Sequence, residues 1–147
     1  MWRVGLSTGY NASPHRHAPD FMPSNSPLVA YQQAIDRDGF KSDPAQWHAA
    51  QALHDCYQAL HHSEGALSIN GVYLWGPVGR GKTLLMDLFY QQLQTPQKIR
   101  LHFHHFMARI HRELHQLSGQ PEPLQHIAAP WAARYRVMCF DEFFVND

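Results

Sequence analysis

Eight residues near the middle of the chain, Gly76-Pro77-Val78-Gly79-Arg80-Gly81-Lys82-Thr83, restrict its folds more than any other feature. They fit the spacing G-x-x-x-x-G-K-[ST]. Phosphate groups need several backbone N–H donors pointing inward at once, and glycines permit both the backbone angles and the close approach. The N-terminus of a following helix adds its dipole and its unpaired donors. In such a loop Lys82 reaches the β- and γ-phosphates and the Thr83 hydroxyl ligates Mg²⁺. A chance match is expected at roughly a few in 100,000 positions. The context is also right. The apolar run Gly71-Val72-Tyr73-Leu74-Trp75 reads as a buried strand before the loop. Lys82–Gln94, with Leu85, Leu88, Phe89 and Leu93 at helical spacing, reads as an amphipathic helix after it. A glycine turn with an incidental lysine is the competing reading and explains none of this context. Arg80 is expected to turn its side chain to solvent while its backbone serves the loop.

Further along, Val137-Met138-Cys139-Phe140 reads as a strand that runs straight into Asp141-Glu142. A strand ending in Asp delivers a carboxylate to the sheet edge, where it can hold Mg²⁺. Glu142 is then a candidate base for orienting the attacking water. The adjacent glutamate points to an NTP hydrolase and not to a small-molecule kinase.

The remaining segments supply the frame. Ser26-Pro27 caps and opens a helix with Leu28, Tyr31 and Ile35 on one face and Gly39 at its end. Asp43-Pro44-Ala45-Gln46 opens a second, with Gln46 at the capping-box position and Ala49, Leu53, Cys56 and Leu60 as its stripe. Ile99–Phe103 reads as a strand. Helices are expected from Phe106 or Met107 to Leu117 and over Leu124–Ala133. Strands alternating with helices argue for an α/β fold with a parallel sheet. Met1–Ser26, rich in Pro, Ser, Asn and His, reads as a flexible tail. The expected division is a tail over 1–26, a helical lead-in over 27–70 and the N-terminal part of a P-loop ATPase domain over 71–147.

Bulk properties exclude several classes. A chain of 147 residues fits at most one domain, and 44% hydrophobic content supports a packed core. The formal net charge is zero, so the strong electrostatic footprint of a nucleic-acid binder is absent. No run approaches the roughly 18 apolar residues of a membrane span. Cys56 and Cys139 form no C-x-x-C pair and read as reduced, buried thiols. His111 and His115 are an i, i+4 pair, but Glu113 is out of place for H-E-x-x-H and no third ligand is evident. His102, His104 and His105 surround a strand end, interleaved with Phe103 and Phe106. Strand alternation would put Leu101 and Phe103 on one face and His102 and His104 on the other. The histidines read as partly exposed structural residues and the phenylalanines as core.

Three stretches, YLWGPVGRGKTLLMDLFY, IRLHFHHFMARIHREL and VMCFDEFFVND, resemble the ZapE cell-division ATPases, AAA+ proteins with mitochondrial relatives. SPLVAYQQAI and DPAQ resemble that family's lead-in, so the likeness covers about residues 26–147. The resemblance implies a cytoplasmic ATPase, peripheral at the bacterial division site, that uses ATP and Mg²⁺ to remodel a protein partner and forms homo-oligomers at full length. It implies ATP binding by Gly76–Thr83, magnesium binding by Asp141 and hydrolysis driven by Glu142. It also implies a sheet order of 5-1-4-3-2. Relatives continue past this point with a fourth strand carrying a polar sensor, a fifth strand, an arginine finger and a helical lid. The chain is therefore expected to be a truncated form, inactive alone. Two other readings stay open: a helicase-loader-like ATPase linked to nucleic acid, and a non-catalytic interaction fragment built on the helices at 27–62.

Overall fold

A computed structural model describes residues 3–6, 26–39, 43–62, 69–77, 79 and 81–143. They fall into two compact units, Met1–Leu93 and Gln94–Asp147.

The first unit contains β1 (Arg3–Leu6), α1 (Pro27–Asp38), α2 (Pro44–His62), β2 (Val72–Trp75) and α3 (Lys82–Gln92). Helix α1 starts where a buried Ser26 accepts a hydrogen bond from the Val29 N–H at 3.3 Å, with Pro27 in the first turn. It stops at Gly39. Helix α2 starts where the Asp43 carboxylate accepts from the Ala45 N–H at 2.9 Å. Helices α1, α2 and α3 pack on one another, and α2 also packs on β1 and β2. Their shared core is Leu28, Tyr31, Ala34, Ala49, Ala50, Leu53, Tyr57, Leu85, Phe89 and Leu93, all buried. Burying each large apolar side chain contributes roughly 1.5–3 kcal/mol. Helix α3, which follows the glycine loop, is therefore anchored along its apolar stripe.

One expectation changes here. Met1–Ser26 is not a tail throughout: Arg3–Leu6 pair antiparallel with β2, in the register Arg3↔Trp75 to Leu6↔Val72. The strand before the glycine loop thus carries an antiparallel neighbour as well as belonging to an α/β chain. A run of four residues is too short to announce itself by periodicity, and Gly5 inside it disguises it further. Residues 7–25 of the expected tail lie outside the described residues.

The second unit contains β3 (Lys98–His102), α4 (Phe103–Gln116), α5 (Pro123–Arg134) and β4 (Val137–Asp141). Strands β3 and β4 pair in parallel, from Lys98↔Val137 to His102↔Asp141. This is the adjacency of second and third strands that the order 5-1-4-3-2 implies. The expected boundaries shift: β3 ends at His102, and α4 begins at Phe103, three residues before Phe106. Phe103 and His104 are helical, so strand alternation does not sort the histidines. The core is aromatic. Phe106 meets Trp131 edge-on at 5.3 Å and Phe140 at 4.9 Å, and Phe103 meets Phe140 edge-on at 5.8 Å. Such pairs add about 0.5–1.5 kcal/mol each beyond burial. Ile110, Ile127 and Cys139 are also buried.

In the first unit, His54 on α2 is 3% exposed, and among the described residues its Nδ1 has no hydrogen-bond partner. Burial lowers its pKa from 6.5, with Asp55 partly opposing the shift. Below about pH 6.5 the unfolded chain binds a proton here that the native state resists, so stability falls as pH drops through that value and on toward the lower folded pKa. One such group changes stability by at most about 1.4 kcal/mol per pH unit. His54→Phe is expected to flatten the acid limb by up to that amount. Urea midpoints at pH 7.5, 6.5 and 5.5 measure it, and an unchanged slope in the variant would contradict the assignment.

Candidate ATPase site

The glycine loop begins where β2 ends. Gly79 and Gly81 take φ of 79° and 86°, a region L side chains rarely occupy, so a residue with Cβ at either place is strained. Gly81 is the N-cap of α3 and supplies no side-chain cap. The helix N-terminus, where backbone donors and the positive dipole end collect, is thereby left without a competing oxygen from its own cap residue. Lys82 arches back over the loop, its ammonium donating to the Gly76 carbonyl at 2.8 Å and the Pro77 carbonyl at 2.7 Å. A cation held on a flexible stem against loop carbonyls is suited to a phosphate chain. Thr83, one residue into the helix, is exposed. Val78 and Arg80 lie outside the described residues. Gly76, Pro77, Gly79, Gly81, Lys82 and Thr83 are all placed on the one strand–loop–helix unit that the spacing predicted.

In the second unit, Asp141 is the last residue of β4. Both of its carboxylate oxygens are engaged by the Arg100 guanidinium, Nε donating to Oδ2 at 2.6 Å and Nη2 to Oδ1 at 2.9 Å. The two side chains are 24% and 21% exposed. Arg100 lies on β3, and the parallel register pairs Cys139 with Arg100 and Asp141 with His102. The arginine reaches diagonally across the ladder with a bidentate fork, which fixes the carboxylate in one plane. A metal ion approaching Asp141 has to share the carboxylate with this fork or displace it. Glu142 follows in a left-handed conformation, φ 54°. Its carboxylate is 59% exposed and lies 3.9 Å from His102 Nδ1.

Arg100 went unread in the sequence. Its only local signal is a charge between two apolar residues, Ile99-Arg100-Leu101, and its partner depends on a strand register that sequence does not give. Arg100→Ala is expected to cost about 1–2 kcal/mol of stability, as the half-buried carboxylate loses its fork. A double-mutant cycle with Asp141→Ala measures the coupling, and a value near zero would mean the pair carries no energy.

Three of the histidines lie close together at the strand end, and none of the three is buried. His102, His104 and His105 have ring centroids 4.0–5.9 Å apart, and His102, His104, His105, His111 and His115 are all exposed. Among the described residues, no group of three or more His, Cys, Asp or Glu is placed to hold a metal ion. Phe103 and Phe106 pack inward on Phe140. Cys56 is half-buried and Cys139 buried, and burial pushes the Cys56 thiol up from its ordinary pKa. Among the described residues, no helix is long and apolar enough to cross a membrane.

The family model of AFG1-like ATPases matches residues 25–147. The chain is 41% identical over 149 aligned positions to the cell division protein ZapE of Escherichia coli K12, covering 86% of this chain and 40% of ZapE. It is 45% identical over 83 positions to an uncharacterised protein of Schizosaccharomyces pombe and 39% identical over 88 positions to lactation elevated protein 1 homolog B of Danio rerio. Each of these covers 52% of this chain and 18% of the relative. The chain thus matches two fifths or less of the length of each of these relatives. No solved structure matches. With a P-loop between strand and helix, and a match running through both helices of the lead-in to the last residue, the chain belongs to the AFG1-like ATPase family.

Proposed function

We propose that the chain forms the nucleotide-binding part of an AAA+-type ATPase that uses Mg·ATP to remodel a protein partner during bacterial cell division. The loop geometry carries this reading. Glycines with positive φ lead from β2 into an uncapped helix N-terminus, with the Lys82 ammonium held above the loop. The residues present suit a polyphosphate: backbone donors, a dipole and one mobile cation. Gly76–Thr83 would cradle the phosphates, with the Thr83 hydroxyl and the Asp141 carboxylate as magnesium ligands. When bound, the ion supplies charge neutralisation on the β- and γ-phosphate oxygens. Glu142 would accept a proton from, and so orient, the attacking water. Its exposure leaves the carboxylate accessible to a solvent molecule.

The likeness to ZapE supports a role in division, with the protein acting from the cytoplasm, peripheral at the division site and as a homo-oligomer. Zero net charge favours a protein partner over nucleic acid.

A thermal melt with and without Mg·ATP tests the core of this reading. Binding raises the melting temperature by an amount that grows as RT ln(1 + [L]/Kd). The expected result is a cooperative transition that climbs with nucleotide concentration. A cooperative transition unmoved by ATP, ADP or GTP would remove the nucleotide site. Phosphate release by the 147-residue chain tests separately the expectation that it is inactive alone.

A further inference from the structure

The capping-box position of α2 holds a residue with another engagement. The Gln46 side-chain carbonyl accepts a hydrogen bond from the Tyr31 hydroxyl at 3.1 Å. Its amide nitrogen lies 3.1 Å from the point where a Cβ on Gly81 would stand, and its Cδ 3.7 Å away. The amide group therefore covers the open face of the glycine that caps α3 and immediately precedes Lys82. Tyr31 is 1% exposed, with its ring tilted against Trp47 at 6.1 Å, so the hydroxyl that orients Gln46 is itself fixed by the core. Three separate elements, α1, α2 and the loop entering α3, meet at this one side chain.

From this we infer that Gln46 is a positioning residue for phosphate binding, held by Tyr31, through which the helical lead-in sets the conformation of the loop. The inference rests on the reading of Gly76–Thr83 as a phosphate loop. Gly81 must keep a left-handed φ of 86° for its N–H and those that follow to converge. A glycine has the widest alternatives of any residue, so its conformation is selected by what packs on it. Gln46 fills that role. An alanine there removes the packing and the anchor while leaving every phosphate donor in place. This also accounts for a glutamine where capping alone would accept a glutamate equally well. A carboxylate at that spot would press negative charge onto the phosphate cradle.

The test uses the whole chain, with ADP carrying a methylanthraniloyl fluorophore as probe and pyrophosphate as unlabelled competitor. Gln46→Ala is expected to weaken both ADP and pyrophosphate by about five- to tenfold, as one oriented polar contact is lost. Gln46→Glu is expected to weaken both more than alanine does, because the repulsion falls on the phosphates. Tyr31→Phe, which keeps the ring and loses the hydroxyl, is expected to weaken both by about two- to threefold. Melting temperatures without nucleotide accompany each variant, since a purely structural role would lower them without changing affinity below the transition. Unchanged pyrophosphate affinity in Gln46→Ala would overturn the inference, whether or not ADP binding changes. Failure of the wild-type chain to bind either probe would overturn it together with the phosphate-loop reading. Wild-type binding that survives Gln46→Ala but not Lys82→Ala would sink the Gln46 role alone.

Discussion

Lys82→Ala is expected to lower ATP affinity by about a hundredfold or more, the loss of charge-assisted hydrogen bonds to two phosphates at roughly 1.5–3 kcal/mol each. The geometry around Lys82 explains why the loss should be large and clean. The ammonium donates to the Gly76 and Pro77 carbonyls at 2.8 and 2.7 Å. These neutral acceptors are poorer partners for a cation than a phosphate oxygen, so the lysine has a gradient to follow when nucleotide arrives. Helix α3 is held by Leu85, Phe89 and Leu93 and not by Lys82, so the variant is expected to melt within about 1 kcal/mol of the wild type. Lys82→Arg keeps the charge but replaces a compact ammonium by a bulkier planar fork with fixed donor directions, and it is expected to recover little of the affinity. Equilibrium titration with a fluorescent ATP analogue checks the two affinities, and urea denaturation without nucleotide checks the stability. Near wild-type affinity in Lys82→Ala would mean the loop does not hold a polyphosphate through this residue.

What the sequence made legible follows from how local each signal is. The loop, its flanking strand and helix, the caps at Ser26 and Asp43, and the strand ending in Asp141 are written within a dozen residues each, and the structure places them accordingly, except that the strand expected to be buried alternates, with Tyr73 and Trp75 exposed. Whatever depends on pairing across the chain was not legible. Strand β1 needs β2 to exist, and four residues with a glycine give no periodic signal. The Arg100 fork on Asp141 needs the register of β3 against β4, where a slip of one residue would send the guanidinium to the other face. Gln46 fits a local rule well enough to be read as a cap, yet its side chain answers to Tyr31, fifteen positions away, and to Gly81. The histidines misled in the opposite sense. His102 and His104 alternate as a strand would have them, but the chain turns helical at Phe103, because Phe103 and Phe106 gain the aromatic core around Phe140.

Glu142 separates function from stability most sharply. It is a non-glycine residue at φ 54°, a conformation that costs an L residue of order 1–2 kcal/mol. Its side chain recovers little of this, being 59% exposed with His102 Nδ1 no nearer than 3.9 Å. A position that stability alone had shaped would favour glycine. Glu142→Gly is accordingly expected to leave stability within about 0.5 kcal/mol, the strain it relieves offsetting the added freedom of the unfolded chain. The same substitution, and Glu142→Gln, is expected to lower ATP hydrolysis by at least about a hundredfold, the usual scale for removing a general base. ATP affinity should persist in both, because both leave the phosphate-binding residues Gly76–Thr83 unchanged. The comparison is made in the shortest chain that turns over ATP, with urea denaturation for stability and single-turnover phosphate release for hydrolysis. Substantial turnover by Glu142→Gln would show that another group orients the water. A loss of more than about 1 kcal/mol in Glu142→Gly would show that the side chain holds the strand end and that the strain serves the fold. The two outcomes point to different chemistry, and the left-handed residue after β4 is where they part.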